Sequence, residues 1–96
     1  MKIRKLKGVW AKTVGLSFKK IIRPTYFETR FGIHTFFVRK PIDVIIMDDG
    51  FVVREIRRDL KPWRVFFWNL KYKKVLELPS GLDEFTGVKI GDKLHI

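Results

Sequence analysis

The stretch Ile42-Asp43-Val44-Ile45-Ile46-Met47-Asp48-Asp49-Gly50-Phe51-Val52-Val53-Arg54-Glu55-Ile56-Arg57 decides the fold. Successive side chains of an extended chain point to opposite faces, so Val44 and Ile46 face one way and Ile45 and Met47 the other. Apolar residues on both sides predict an internal strand over 42–48 with a covering layer on each face. Asp48-Asp49-Gly50 supplies turn chemistry, with glycine expected at positive φ and aspartate bonding its own backbone. Phe51 to Arg57 then returns antiparallel.

Working outward, Gly32 to Val38 reads as a strand that enters the hairpin through Arg39, Lys40 and Pro41. On the other side, Lys61-Pro62-Trp63 breaks strand pairing because proline lacks an amide donor. Val65 to Leu70 and Lys74 to Leu78 are two further strands. Ser80-Gly-Leu-Asp83 has capping-box spacing and predicts one or two helical turns from Leu82 to Thr86. Gly87 is expected to stop them in left-handed geometry, and Val88 to Ile96 to form a final turn and strand. Near the start, Ile3 and Leu6 fit a short edge strand guarded by lysines, and Trp10 to Val14 reads as helical. The predicted class is α+β, mainly β: a small antiparallel sheet or barrel-like domain with one or two short helices.

Ninety-six residues leave room for a single core, so residues 1–96 are read as one domain with a basic segment 1–31 and a β core 32–96. With 46% hydrophobic and 15% aromatic residues, the chain can build that core and is not disordered by composition. Lys and Arg number 21 against 10 Asp and Glu, a net of +11. The excess is local. Residues 1–40 carry 11 bases and one acid, Glu28, whereas residues 41–96 carry ten bases and nine acids. Such asymmetry points to an anionic partner, nucleic acid or another polyanion, against the plainer reading of a solvated basic surface.

The chain has no Cys and no Gln and a single Asn, Asn69, alongside many Lys and Arg, the composition expected of a thermophilic source. Zero Cys excludes disulfides, thiolate zinc sites and cysteine nucleophiles. No apolar run is long enough to span a bilayer and no signal-peptide pattern follows Met1, so an intracellular, cytoplasmic protein is expected. Walker, dinucleotide-fingerprint, His-Glu-x-x-His and Gly-x-Ser-x-Gly patterns are missing. No cofactor or metal is implied.

Six ordered motifs carry a resemblance: Gly32-Ile33-His34-Thr35-Phe36; Arg39-x-Pro41-Ile42-Asp43-Val44; Asp48 with Gly50; Leu60-Lys61-Pro62-Trp63-Arg64; Val75-Leu76-Glu77-Leu78-Pro79-x-Gly81; and Gly91-Asp92-x-Leu94. Over roughly the last two-thirds, the chain resembles the prokaryotic family known as domain of unknown function 192. Gly15-Leu16 with Phe18 looks like that family's Gly-Leu-Met-Phe segment, with Ser17 in place of Met. The resemblance implies a small, mostly antiparallel β-fold and no established reaction.

Asp43 is the sharpest local question, because an unpaired carboxylate among apolar neighbours costs several kcal/mol. His34, Arg39 or loop amides are its candidate partners. They serve either to pin a turn or, together with Glu77, to form an acid-base or anion-facing pocket in which His34 titrates near neutrality. The plainer expectation for Glu77 is a cross-strand ion pair with an arginine such as Arg54. Trp63 and Arg64, followed by Phe66, Phe67 and Trp68, are either core aromatics or a stacking surface for single-stranded nucleic acid. The leading expectation is a small binding domain, with Lys5, Lys7, Lys12, Lys19, Lys20 and Arg23 neutralising a polyanion; the sequence leans away from an enzyme without deciding the point. The alternatives are a small-molecule or enzymatic site around His34, Asp43 and Glu77, and a protein-interaction module.

Overall fold

In the computed structural model, residues 4–5, 24–30, 32–34 and 40–96 are described. Their strands are β1 (Arg4–Lys5), β2 (Thr25–Glu28), β3 (Ile33–His34), β4 (Ile42–Met47), β5 (Val53–Leu60), β6 (Val65–Phe66) and β7 (Lys74–Pro79). Five of them form one sheet in the order β1-β2-β7-β4-β5, and β3 pairs with β6 in a separate two-stranded ribbon. All pairings are antiparallel except β1 with β2, which is parallel. The expected mainly β, antiparallel class is what the chain adopts.

β4 is internal, and all six of its residues are buried. Its alternation divides the core in two, as the period-2 reading requires. Ile42, Val44 and Ile46 join Phe27, Ile33, Leu60, Trp68 and Val75 on one face. Ile45 and Met47 join Val53, Leu76 and Leu78 on the other. The β3–β6 ribbon covers the first face through Ile33, Phe66, Trp68 and Tyr72. The C-terminal segment covers the second through Leu82, Phe85, Val88, Leu94 and Ile96.

The β4–β5 turn is built differently from the sequence expectation. Asp48 does bond its own backbone, its Oδ1 accepting from Gly50 N at 2.9 Å and Val52 N at 3.1 Å. The left-handed residue, however, is Phe51 at φ 61, not Gly50, because the aspartate's two amide bonds hold the chain one residue longer before it turns back. The returning strand runs on to Leu60 rather than ending at Arg57.

Three other expectations are corrected. Ser80 is no helix cap: a 3-10 helix, Asp83–Phe85, follows Leu82 without a side-chain cap, and the Ser80 hydroxyl instead donates to Asp59 Oδ1 at 3.1 Å. Gly87 is not left-handed; Gly32, Gly81 and Gly91 are. The final strand reduces to one bridge, Val52 to Lys93, flanked by bonds from Val53 N to Asp92 O and Leu94 N to Phe51 O. Of the predicted Val65 to Leu70 strand, only Val65–Phe66 pairs. The edge-strand expectation near the start is met at Arg4–Lys5; the helix expected over residues 10–14 and most of the strand expected over 32–38 lie outside the described residues.

Candidate functional site

Asp43 sits where β5 bulges. Ile42 pairs with Leu60 but Val44 pairs with Arg57, so Arg58 and Asp59 together oppose Asp43, the two-against-one count of a β-bulge. Asp59 takes the left-handed conformation, φ 55, and its N–H donates to Asp43 Oδ1 at 2.8 Å. The bulge also aims Arg58 inward. Its Nη1 donates to Asp43 Oδ2 at 3.1 Å, and its Nη2 donates to the carbonyls of Phe85 and Val88, each at 2.9 Å. The Asp43 carboxylate, 2% exposed, is thus compensated by a guanidinium and an amide, as a buried charge requires. An open cleft of about 270 Å³ lies over this pair, lined also by Ser80, Gly81 and Thr86.

Asp43 therefore finds a backbone amide, but one supplied by the β5 bulge rather than by a loop, and its cationic partner is Arg58, which the sequence reading did not name. The signal for Arg58 was weak: it lies 15 residues away and reaches Asp43 only through a bulge that local patterning does not reveal. Glu77 is buried, 3% exposed, on the opposite face. It stands in a row with Val44 and Thr25, whereas Asp43 stands in a row with Leu78. The sheet separates the two carboxylates, so they do not line one pocket. Arg54 does not serve Glu77 either; it lies two strands away and pairs with Asp48, Nη2 to Oδ2 at 2.9 Å. Among the described residues, no buried side-chain nitrogen or oxygen lacks a hydrogen-bond partner. His34 contributes its backbone to β3 opposite Val65, and Arg39 lies outside the described residues.

The aromatic cluster divides by burial, and the core reading holds for part of it. Trp68 is buried, its indole N–H donating to Tyr72 O at 2.8 Å, and Phe66 packs on it at 5.6 Å between centroids. Trp63 and Phe67 face outward, 58% and 69% exposed, with Arg64 exposed beside them.

A third cluster escaped the sequence reading. Tyr26 donates to Glu28 Oε2 at 2.7 Å, and Lys74 Nζ reaches the same oxygen at 3.0 Å and the Tyr26 hydroxyl at 3.3 Å while lying 4.8 Å over the Phe51 ring. Burial and the hydrogen bond to Glu28 push the Tyr26 phenol up to about 12. The bonds from Tyr26 and Lys74 lower Glu28. Burial opposes the Lys74 charge, but its bonds to Glu28 and Tyr26 outweigh that and raise its pKa. A phenol so raised stays protonated at neutral pH, which suits a clamp better than proton transfer. Lys73 approaches the other Glu28 oxygen at 3.7 Å. Of the six lysines and arginines expected to meet a polyanion, Lys5 contributes backbone to β1, and Lys7, Lys12, Lys19, Lys20 and Arg23 lie outside the described residues.

Comparison with known proteins places these features in context. The profile of the family described as Uncharacterized ACR, domain of unknown function 192, matches residues 7–96, so it takes in most of the basic segment as well as the β core. A UPF0127 protein of Pyrococcus horikoshii is 35% identical over 89 residues, 86% of this chain and 76% of that protein. Another, from Pyrococcus abyssi, is 43% identical over 71 residues, 72% of this chain and 60% of that protein, and one from Thermococcus sibiricus is 32% identical over 73 residues, 76% of this chain and 47% of that protein. These are thermophilic archaea, in keeping with the composition. No solved structure gives a significant match. Among the described residues, no helix is long and apolar enough to cross a membrane.

Proposed function

We propose, from the premise that the chain belongs to the uncharacterised DUF192 family, that it works as a small binding domain whose partner is a nucleic acid, held chiefly by the bases of residues 1–40. The observation that carries this reading is where the one acid of that segment goes. Glu28 accepts from Tyr26 and Lys74 and pairs with Lys73, so its charge is engaged by lysines of the C-terminal part of the chain. The net +10 of residues 1–40 is matched by no acidic run of their own. Phosphates supply that match, and binding them releases condensed counterions. Lys5, Lys7, Lys12, Lys19, Lys20 and Arg23 are the side chains assigned to this contact.

The test is the salt dependence of oligonucleotide binding, followed by fluorescence anisotropy. Neutralising about six phosphates of a single strand gives a log–log slope near −4, or about a 1,000-fold loss of affinity between about 50 and 300 mM salt. Replacing Lys12, Lys19 and Lys20 together by Gln is expected to halve that slope. An affinity that stays flat over this range overturns the proposal.

A further inference from the structure

The segment 60–76 contains five bases and no acid; Lys73 and Lys74 turn to Glu28, and Lys61, Arg64 and Lys71 flank the outward aromatics in sequence. The near balance of residues 41–96 therefore conceals a second basic run, and this run carries the outward aromatics. Odd positions from Trp63 to Phe67 face solvent: Trp63 is 58%, Val65 49% and Phe67 69% exposed. Even positions Phe66 and Trp68 pack inward. Large apolar side chains exposed at closely spaced positions of the chain point to a contact surface rather than a scatter of exposed residues.

Two backbone features accompany these rings. Trp63 follows Pro62 at φ 63, a left-handed conformation that glycine adopts freely and a bulky residue adopts under strain. That turn comes just before β6, and the Trp63 side chain stands 58% exposed there. Phe67 is braced from behind by Gly32, itself at φ 85: a Cβ added there would stand 2.5 Å from Phe67 Cδ1 and 2.8 Å from Cε1. Arg64 lies between the two rings in sequence, with its Nη1 3.5 Å from the Trp63 carbonyl.

We infer that this strip is a stacking platform for single-stranded nucleic acid, with bases lying on Trp63 and Phe67 and with Arg64 and Lys61 meeting the neighbouring phosphates. The inference rests on the nucleic-acid reading above and adds the strandedness of the partner. A duplex hides the faces of its bases, whereas a single strand bares them to aromatic rings and guanidinium planes. An anionic membrane also attracts Lys and Arg. It rewards side chains that project into the acyl region, however, and the Phe67 ring is set against the backbone at Gly32.

The experiment compares the intact chain with Trp63→Ala, Phe67→Ala and Trp63→Phe, each checked for folding by circular dichroism. The probes are an oligothymidylate of about 12 nucleotides, a duplex of equal length, heparin, and vesicles of phosphatidylglycerol and phosphatidylcholine. The oligothymidylate is expected to bind more tightly than the duplex and to quench tryptophan fluorescence. Each alanine variant should weaken it about tenfold or more while leaving heparin binding and the salt slope unchanged, and Trp63→Phe should keep most of the affinity. Equal affinity for single strand, duplex and heparin, indifferent to the three variants, overturns the stacking inference and leaves the nucleic-acid reading standing. Failure to bind any polyanion overturns both. Vesicle binding that depends on Trp63 without oligonucleotide binding assigns the strip to membranes and overturns the inference.

Discussion

The two covers of the central sheet are attached in different ways. The C-terminal segment lies over Ile45, Met47, Leu76 and Leu78 and is tied by polar bonds: Arg58 to the Phe85 and Val88 carbonyls, and backbone bonds from Val53 and Leu94. The β3–β6 ribbon lies over Val44, Ile46 and Val75 and is held mainly by apolar packing of Ile33, Phe66 and Trp68. Polar clamps stand at both ends of the face under the C-terminal segment, Asp43 with Arg58 at one and Tyr26, Glu28 and Lys74 at the other. The ribbon instead presents Trp63, Val65 and Phe67 outward. One cover closes its face; the other turns its inner side to the core and its outer side to solvent.

The largest effect is expected on the packed cover. Trp68→Ala removes a buried indole and should cost about 3–5 kcal/mol, read as a drop in the urea midpoint, with amide exchange quickening first in the ribbon. An unchanged midpoint would mean that the ribbon does not depend on this packing. Asp43→Ala should cost about 2–3 kcal/mol, below the usual loss for a broken buried pair because the Arg58 side chain is 35% exposed. Here the amides of Val53 and Leu94 should lose protection while those of the ribbon keep it; the reverse pattern would erase the distinction between the covers.

The smallest effect concerns the clamp at the far end. Because the folded pKa of Tyr26 is raised to about 12, the stability it contributes is fully present below the ordinary phenol value of about 10 and is lost as pH rises through 12. An ultraviolet titration should show one tyrosine ionising late, and Tyr26→Phe should remove that step. For Glu28, whose pKa is lowered, the contribution is present above its unfolded value and is lost as pH falls through the folded one.

Much of the frame was legible beforehand. The double-sided alternation of Val44 to Met47 predicted an internal strand with two covers, and β4 is that strand. The need of Asp43 for partners was legible too, since burial of a carboxylate demands them whatever the topology. Its actual partner was not. Arg58 reaches Asp43 through a one-residue bulge, and a bulge arises from how two strands meet. Gly50 and Ser80 were misread for a related reason: each carried a favourable local propensity, but Asp48 held the turn open past Gly50 and Asp59 took the Ser80 hydroxyl. Glu77 and Asp43, both in family-like motifs, are separated by the sheet because the parity of their strand positions differs once β4 and β7 pair.

By itself the sequence determined the period-2 core strand, the turn at Asp48 and the segregation of charge into residues 1–40, because these depend on neighbouring residues alone. Only the tertiary structure decided which aromatics of 63–68 are core and which face water, and which base meets which acid. Those outcomes follow from strand register and from a single bulge, where a shift of one residue sends every side chain to the other face.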